Sequence, residues 1–402
     1  MANTEVEVGV ARQGSLRANN LSLAARFIYR SATPVARVDV ANATGMTRST
    51  ASRLVDDLVS GGIVSESAPT LTNRRGRPAV PLRPAAGTLV ALGLEINVTH
   101  MAARLVDLTG DVIDAADEMG DFIGADPAEL SARLARMGRQ VLDARPEGTR
   151  LAAIRVALPG LVDSTTNVLL RAPNLSWHNI AAGELLREAG LTEVGEVDFG
   201  VANEADCAAF YVGHDAPGRP SAFNDFLYLS GETGIGSALL RSGRVALGTR
   251  GWAGEIGHVC ISPDGPLCRC GARGCLERYA GTGALIERAG VDDISDFQAL
   301  VAAGDHDALI SLDEAGRALG IALSNALNLL DETTIVLGGD LALFIDHYRP
   351  LIERELETRH LARAFVDVQL SAATPDHAAP ALGAAYSGLD RVLAEPSRWC
   401  DA

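Results

Sequence analysis

The stretch Cys268-Arg269-Cys270-Gly271-Ala272-Arg273-Gly274-Cys275 constrains this chain more than any other. Three thiols fall within eight residues, and the glycines between them permit tight turns. That pattern suits a structural zinc site, which takes four ligands. A fourth ligand is therefore needed. His258 is the natural candidate and would complete a Cys3His set. Cys260 is the alternative, because on an extended strand it points the same way as His258. Cys207 and Cys400 lie far away in sequence and read as bystanders.

The glycine-rich turns have several readings. Ser230-Gly231-Glu232-Thr233-Gly234-Ile235-Gly236 follows one apolar strand and precedes another. Its backbone N–H groups could cradle phosphate, or it could be a plain β-hairpin. Gly338-Gly339 is equally ambiguous. Glu255 lies close to His258, and a carboxylate beside a metal-anchored imidazole suits the binding of hydroxyls.

The net charge of −16 argues against a nucleic-acid binder until it is divided. Residues 1–84 hold eleven Arg against six acidic residues, a balance of +5; residues 85–402 hold 24 against 45, a balance of −21. A basic reader joined to an acidic sensor has this asymmetry. No lysine occurs, which excludes P-loop and Schiff-base lysine chemistry. No apolar run approaches the roughly 20 residues of a membrane span, and the polar start resembles no signal peptide. We therefore expect a cytoplasmic protein without membrane attachment.

Three short helices are predicted in the basic segment. Ser15–Arg30 sets Leu16, Asn20, Leu23 and Phe27 near one stripe. Val35–Ala43 carries Val38 and Val40. A third runs from the N-cap Thr47 to Ser60, with Ala51, Leu54, Val55 and Leu58 at i, i+3, i+4, i+7 on its buried face. Arg48, Ser49, Ser52 and Arg53 then lie at the end that a helix-turn-helix protein presents to base edges. Ile63-Val64 and Ala79–Leu82 read as strands of a wing. Arg75 and Arg77, in an Arg-Gly-Arg-Pro run, suit a narrow A·T-rich minor groove.

Beyond residue 85, Leu89–Ile96, Met101–Asp107, Asp111–Ala116, Leu151–Ala157, Phe226–Ser230 and Thr334–Leu337 read as strands. Pro127–Ala144, a segment starting at Asn203, and Ser311–Leu330 read as helices. Alternating strands and helices over this length predict a two-lobed α/β layer fold. The boundaries expected are a flexible N-terminus at 1–14, a winged helix-turn-helix at 15–84 and a sensor at 85–402.

The order of helix-turn-helix, Gly-Glu-Thr-Gly-Ile-Gly, Ala253-Gly254-Glu255-Ile256-Gly257-His258 and the cysteine motif ending in Cys275-Leu276-Glu277 resembles the ROK family of repressors and sugar kinases. The resemblance implies a winged helix followed by a two-lobed, actin-like, ribonuclease-H-type domain. It implies Zn2+, double-stranded operator DNA as partner, a sugar or sugar-phosphate effector, and a homodimer or homotetramer. By that likeness, sugar hydroxyls meet Asn203, Glu204, Glu255, His258 and Glu277, and Ala172-Pro173-Asn174-Leu175 edges the pocket.

The departures point away from catalysis. Where the family's kinases carry Asp-x-Gly-Gly-Thr, this chain reads Glu95-Ile96-Asn97-Val98-Thr99-His100. Both glycines are gone, so close approach of phosphate is obstructed. The kinases' catalytic Asp is Glu204 here, one methylene longer. The expectation is a sugar-responsive transcription regulator, a repressor of carbohydrate-related genes, with a degenerate kinase site and no catalytic residue. The alternatives are an ATP-dependent sugar kinase with an N-terminal extension, or a regulator that senses a protein partner.

Overall fold

The computed structural model describes residues 13–67 and 80–400. The expected flexible segment 1–14 thus lies almost wholly outside the described residues, as do Arg75 and Arg77. Helices α1 (Gln13–Arg30), α2 (Arg37–Thr44) and α3 (Arg48–Ser60) are followed by strands β1 (Val64–Glu66) and β2 (Leu82–Pro84), which pair antiparallel with Ser65 opposite Arg83. Thr47 caps α3, its Oγ1 accepting from the Thr50 amide at 3.2 Å. The i, i+3, i+4, i+7 residues of α3 are its buried ones.

Two details of this head differ from the sequence-based expectation. The buried face of α1 is Leu21, Ala24, Ala25, Ile28 and Tyr29, while Leu16 and Leu23 are 52% and 53% exposed. The physical reason is helical spacing: the buried residues fall at i, i+3, i+4, i+7 and i+8 from Leu21, and Leu16 and Leu23 lie off that face. Val38 is exposed and Val40 buried in α2. Strand β2 also begins later than expected, at Leu82, whose amide donates to the Val35 carbonyl.

The first lobe is a five-stranded sheet of β3 (Leu89–Ile96), β4 (His100–Asp107), β5 (Val112–Met119), β6 (Arg150–Leu158) and β10 (Asp198–Asn203), in the order β10-β6-β3-β4-β5. Helix α4 (Pro127–Asp143) packs on it. A three-stranded flap, β7 (Leu161–Asp163), β8 (Val168–Ala172) and β9 (Trp177–Ala181), precedes α5 (Ala182–Glu188). Helix α6 (Glu204–Val212) follows β10, and the ribbon β11 (His214–Ala216) and β12 (Arg219–Pro220) leads to the second lobe.

The second lobe repeats the scheme. Its sheet contains β13 (Phe226–Gly231), β14 (Ile235–Arg241), β15 (Arg244–Val245), β16 (Thr334–Gly339) and β17 (Gln369–Ala372), in the order β15-β14-β13-β16-β17. In both sheets three antiparallel strands form a meander, and two later strands add in parallel beside the first. Helices α7 (Glu277–Ala280), α8 (Thr282–Ala289), α9 (Ile294–Ala302), α10 (His306–Leu330) and α11 (Ile345–Arg359) belong to this lobe.

The last helix, α12 (Ala379–Ala394), returns to the first lobe and packs on β3, β4, β6 and α6. Two glycines permit this close seat. A Cβ on Gly93 would be driven into the Ala381 carbonyl, and one on Gly383 into the Cys207 carbonyl. The other side of α12 meets α1. There Arg26 grips Asp390 with two hydrogen bonds of 2.8 and 3.0 Å, and the Ser22 hydroxyl donates to the Leu393 carbonyl. No helix among the described residues is long and apolar enough to cross a membrane.

Candidate functional site

A cleft between the lobes gathers the residues singled out above. Asn203 closes β10 and caps α6: its Oδ1 accepts from the Ala205 and Asp206 amides at 2.8 and 3.2 Å, and its Nδ2 donates to the Gly160 carbonyl. Most of its polar capacity therefore serves the scaffold. Glu204 begins α6, so the same cap aims its carboxylate into the cleft. Asn97 Nδ2 donates to Glu204 Oε2 at 2.8 Å. Burial, then the nearby Glu95, push the Glu204 carboxyl up to about 8, and the Asn97 hydrogen bond opposes them.

The second lobe supplies the opposite wall. The turn Glu232-Thr233-Gly234 joins β13 to β14 in register, so the hairpin reading holds while the turn also lines the cleft. Gly234 is small for a reason: a Cβ there would stand 2.6 Å from Asn174 Nδ2 and 2.7 Å from Glu277 Oε2. Asn174 belongs to the loop expected at the pocket edge, and it lines the cleft.

His258 ends a short 3-10 turn and links cleft to cysteines. Its Nδ1 lies 3.8 Å from Cys268 Sγ and 3.7 Å from Glu277 Oε1, while its Nε2 faces Glu255 Oε2 at 3.9 Å. The Cys270 and Cys275 sulfurs are 3.7 Å apart. Ligand atoms of His258, Cys268, Cys270 and Cys275 all lie within 4.8 Å of one another. For metal–sulfur bonds of about 2.3 Å, a tetrahedron has sulfur–sulfur edges of roughly 3.8 Å, so these four residues fit one tetrahedral ion. Cys260 stays outside the cluster and exposed. Cys207 and Cys400 are buried elsewhere.

Sequence reasoning missed the far end of the cleft. Glu95 is fully buried; its Oε2 accepts from the Ala381 amide at 3.3 Å, and its Oε1 lies 3.2 Å from His100 Nε2. Asn97 Oδ1 accepts from the Val98 and Thr99 amides at 2.5 and 3.4 Å. The lost glycines signalled this loop, but nothing in the local sequence ties Asn97 to Glu204. Asp206 was missed as well. It points from α6 into a neighbouring cavity edged by Arg26 and Asp390, and burial, then Glu255, push its carboxyl up to about 7.

On the head, Arg48, Ser49 and Arg53 are exposed at the N-terminal half of α3. Ser52 is less available than expected. Arg37 Nη1 donates to its carbonyl and hydroxyl at 2.8 and 3.0 Å, while the same guanidinium pairs with Asp56 and Glu66. The wing residues Arg75 and Arg77 lie outside the described residues.

With this geometry in place, relatives can be weighed. A xylose repressor of Bacillus spizizenii is 27% identical over 393 residues, covering 96% of this chain and 98% of the relative. The crystal structure of a ROK family transcriptional regulator, a homologue of the E. coli MLC protein, superposes with a TM-score of 0.76 at 24% identity, covering 95% of this chain and 99% of that one. A ROK hexokinase from Thermus thermophilus matches at 27% identity with a TM-score of 0.59, covering 74% of this chain and 97% of that one. The hexokinase matches a smaller share of this chain than the regulator does. The IclR helix-turn-helix domain matches residues 27–68 and the ROK family matches residues 91–390; the chain belongs to the ROK family, with a helix-turn-helix segment in front of the family domain.

Proposed function

We propose that this protein is a sugar-responsive, operator-binding repressor in which the phosphoryl-transfer machinery has been lost. Residues 15–84 are the DNA reader and 85–402 the sensor. One observation carries the reading: α12 packs on α6, which begins with the cleft residue Glu204, and also on α1 of the head. A ligand that shifts α6 therefore acts on the reader through one intervening helix.

His258, Cys268, Cys270 and Cys275 would hold Zn2+. The ion supplies no catalysis here; bound, it fixes the imidazole and the loop carrying Glu277. His258 would then turn Nε2, beside Glu255, toward sugar hydroxyls. Asn203, with one amide hydrogen left after capping, Glu204 and Glu277 complete the contacts. On DNA, α3 would enter the major groove of each half of a two-fold operator, read by a homodimer. Arg48, Ser49 and Arg53 would reach bases or phosphates, and Arg75 with Arg77 a flanking minor groove. Ser52 would serve through Arg37.

The test is fluorescence anisotropy on a fragment of the adjacent promoter, with and without sugars, xylose first because of the relative's name. Operator affinity should fall when the effective sugar is added. Arg53→Ala should weaken binding by about 1–3 kcal/mol if it reads a base. Salt-independent binding, or none, would rule out the reader. The hexokinase likeness favours one alternative, an ATP-dependent sugar kinase; sugar-dependent ADP formation at roughly 1–100 per second would establish it instead.

A further inference from the structure

We propose that the effector is an unphosphorylated sugar, and that the cleft excludes sugar phosphates. The inference rests on the sugar-sensor reading above and adds to it the charge state of the ligand. Phosphate is bound by arginine or lysine, or by free backbone amides at helix N-termini and glycine turns. The cleft lining holds no arginine, and the first amides of α6 are engaged.

Its lining includes four carboxylates, Glu204, Glu232, Glu255 and Glu277, and not one arginine. The chain carries 35 basic side chains, all arginine, so their absence from this wall is a property of the site. The only lining residue able to carry positive charge is His258, and its Nδ1 faces the cysteines.

The amides are already engaged. Those of Ala205 and Asp206, at the start of α6, donate to Asn203 Oδ1. Those of Val98 and Thr99 donate to Asn97 Oδ1. That of Ala381, at the start of α12, donates to Glu95 Oε2, and that of Glu232 to the Gly234 carbonyl. At the start of α6, in the loop after β3 and at the start of α12, the amides that could meet a phosphate are filled by acceptors of the chain itself.

A phosphate brought to the Glu204 end would therefore stand beside Glu204 and Glu232 with no arginine in the lining to compensate it. Glu232, like Glu204, is already held above the usual carboxylate range by burial and by its acidic neighbours. A site that resists even its own carboxylate charges gives a desolvated phosphate no partner, and an unpaired charge taken out of water is strongly unfavourable. A hydroxyl in the same place donates to a carboxylate without adding charge. The protein would thus read a sugar before a kinase has acted on it, and fall silent toward the product of that phosphorylation.

Isothermal titration with matched pairs tests this: glucose, mannose and N-acetylglucosamine against their 6-phosphates, and xylose against xylose 5-phosphate. In the pair that binds, the free sugar should be tighter by ~100-fold or more. A phosphate ester that binds as tightly as its free sugar, or tighter, overturns the inference while leaving the sensor reading intact. If no member of any pair binds, the sensor reading falls and this inference falls with it. Glu204→Gln supplies the second arm, with titrations at pH 7 and pH 9 on either side of the value near 8 at which Glu204 ionises. The preference of the native protein should widen by about tenfold at pH 9, and that of the variant should change less. A preference equally insensitive to pH in both proteins would show that charge at Glu204 is not its cause.

Discussion

The two ends of the cleft are built from similar residues and do different work. At the metal end, the carboxylates of Glu255 and Glu277 flank an imidazole that is anchored from behind by thiols. At the opposite end, Glu95 and Glu204 are tied to the chain's own amides and to Asn97. The first end presents acceptors to a ligand. The second has turned its donors inward and connects, through α6 and α12, to the head. An end that moves phosphate needs open amides; an end that transmits a shift, as proposed above, needs closed ones. On that proposal the contrast is how a kinase-like cleft keeps recognition without chemistry.

The largest expected effect separates the ends directly. Cys268→Ser, or chelation, should remove one metal per chain and destabilise the second lobe by on the order of 5 kcal/mol or more. Elemental analysis and hydrogen exchange should show loss of metal with protection kept in β3 and β6. Equal loss of protection in both lobes would break the distinction.

The closed end should show itself in pH dependence. Glu204 titrates at about 8 in the fold, against 4.5 for the ordinary group. Below about 4.5 it is protonated in both folded and unfolded chains. As pH rises to about 8, the unfolded chain releases the proton and the folded one retains it, so stability falls across that window. Glu204→Gln should remove this contribution, a few kcal/mol at most since Glu232 interacts with it. Urea midpoints at pH 5 and pH 8 should show the variant gaining on the native protein at the higher pH.

Gly383→Ala tests the connection. A Cβ there meets the Cys207 carbonyl, so α12 must lift from α6, at about 1–3 kcal/mol in stability. Sugar binding should persist while its effect on operator affinity shrinks. Arg26→Ala is the mildest change. It removes a partly buried pair with Asp390, worth about 1 kcal/mol, and should weaken the same coupling with sugar affinity unaltered.

Much of this was readable from residues alone, where the pattern is local. The face of α3 follows from its spacing, and the cysteine cluster from three thiols in eight residues. The stripe of α1 differs from the expectation because the true face, from Leu21 through Ala24, Ala25 and Ile28 to Tyr29, includes two alanines that mark it weakly, while Leu16 and Leu23 lie off it. Cys260 against His258 is undecidable in sequence, since strand alternation allows both; His258 in fact ends a 3-10 turn, and the cluster gathers His258 and not Cys260. Asn97 and Glu204, and Glu95 and Ala381, are 107 and 286 residues apart. No local rule pairs residues at such distances.

The seat of α1 on α12 also bears on how the chain is made. Helix α1 is synthesised well before its partner α12, since 349 positions separate Arg30 from Ala379. At about 5–20 residues per second, the head waits roughly 20–70 s before its docking surface exists. During that time Leu21, Ile28 and Tyr29, buried in the finished protein, have only the head itself to cover them. The head emerges before the helix that fastens it. A chain stopped short of Ala379 would carry an undocked head on a sensor to which it has no helical connection, and any DNA it held would be beyond the reach of sugar.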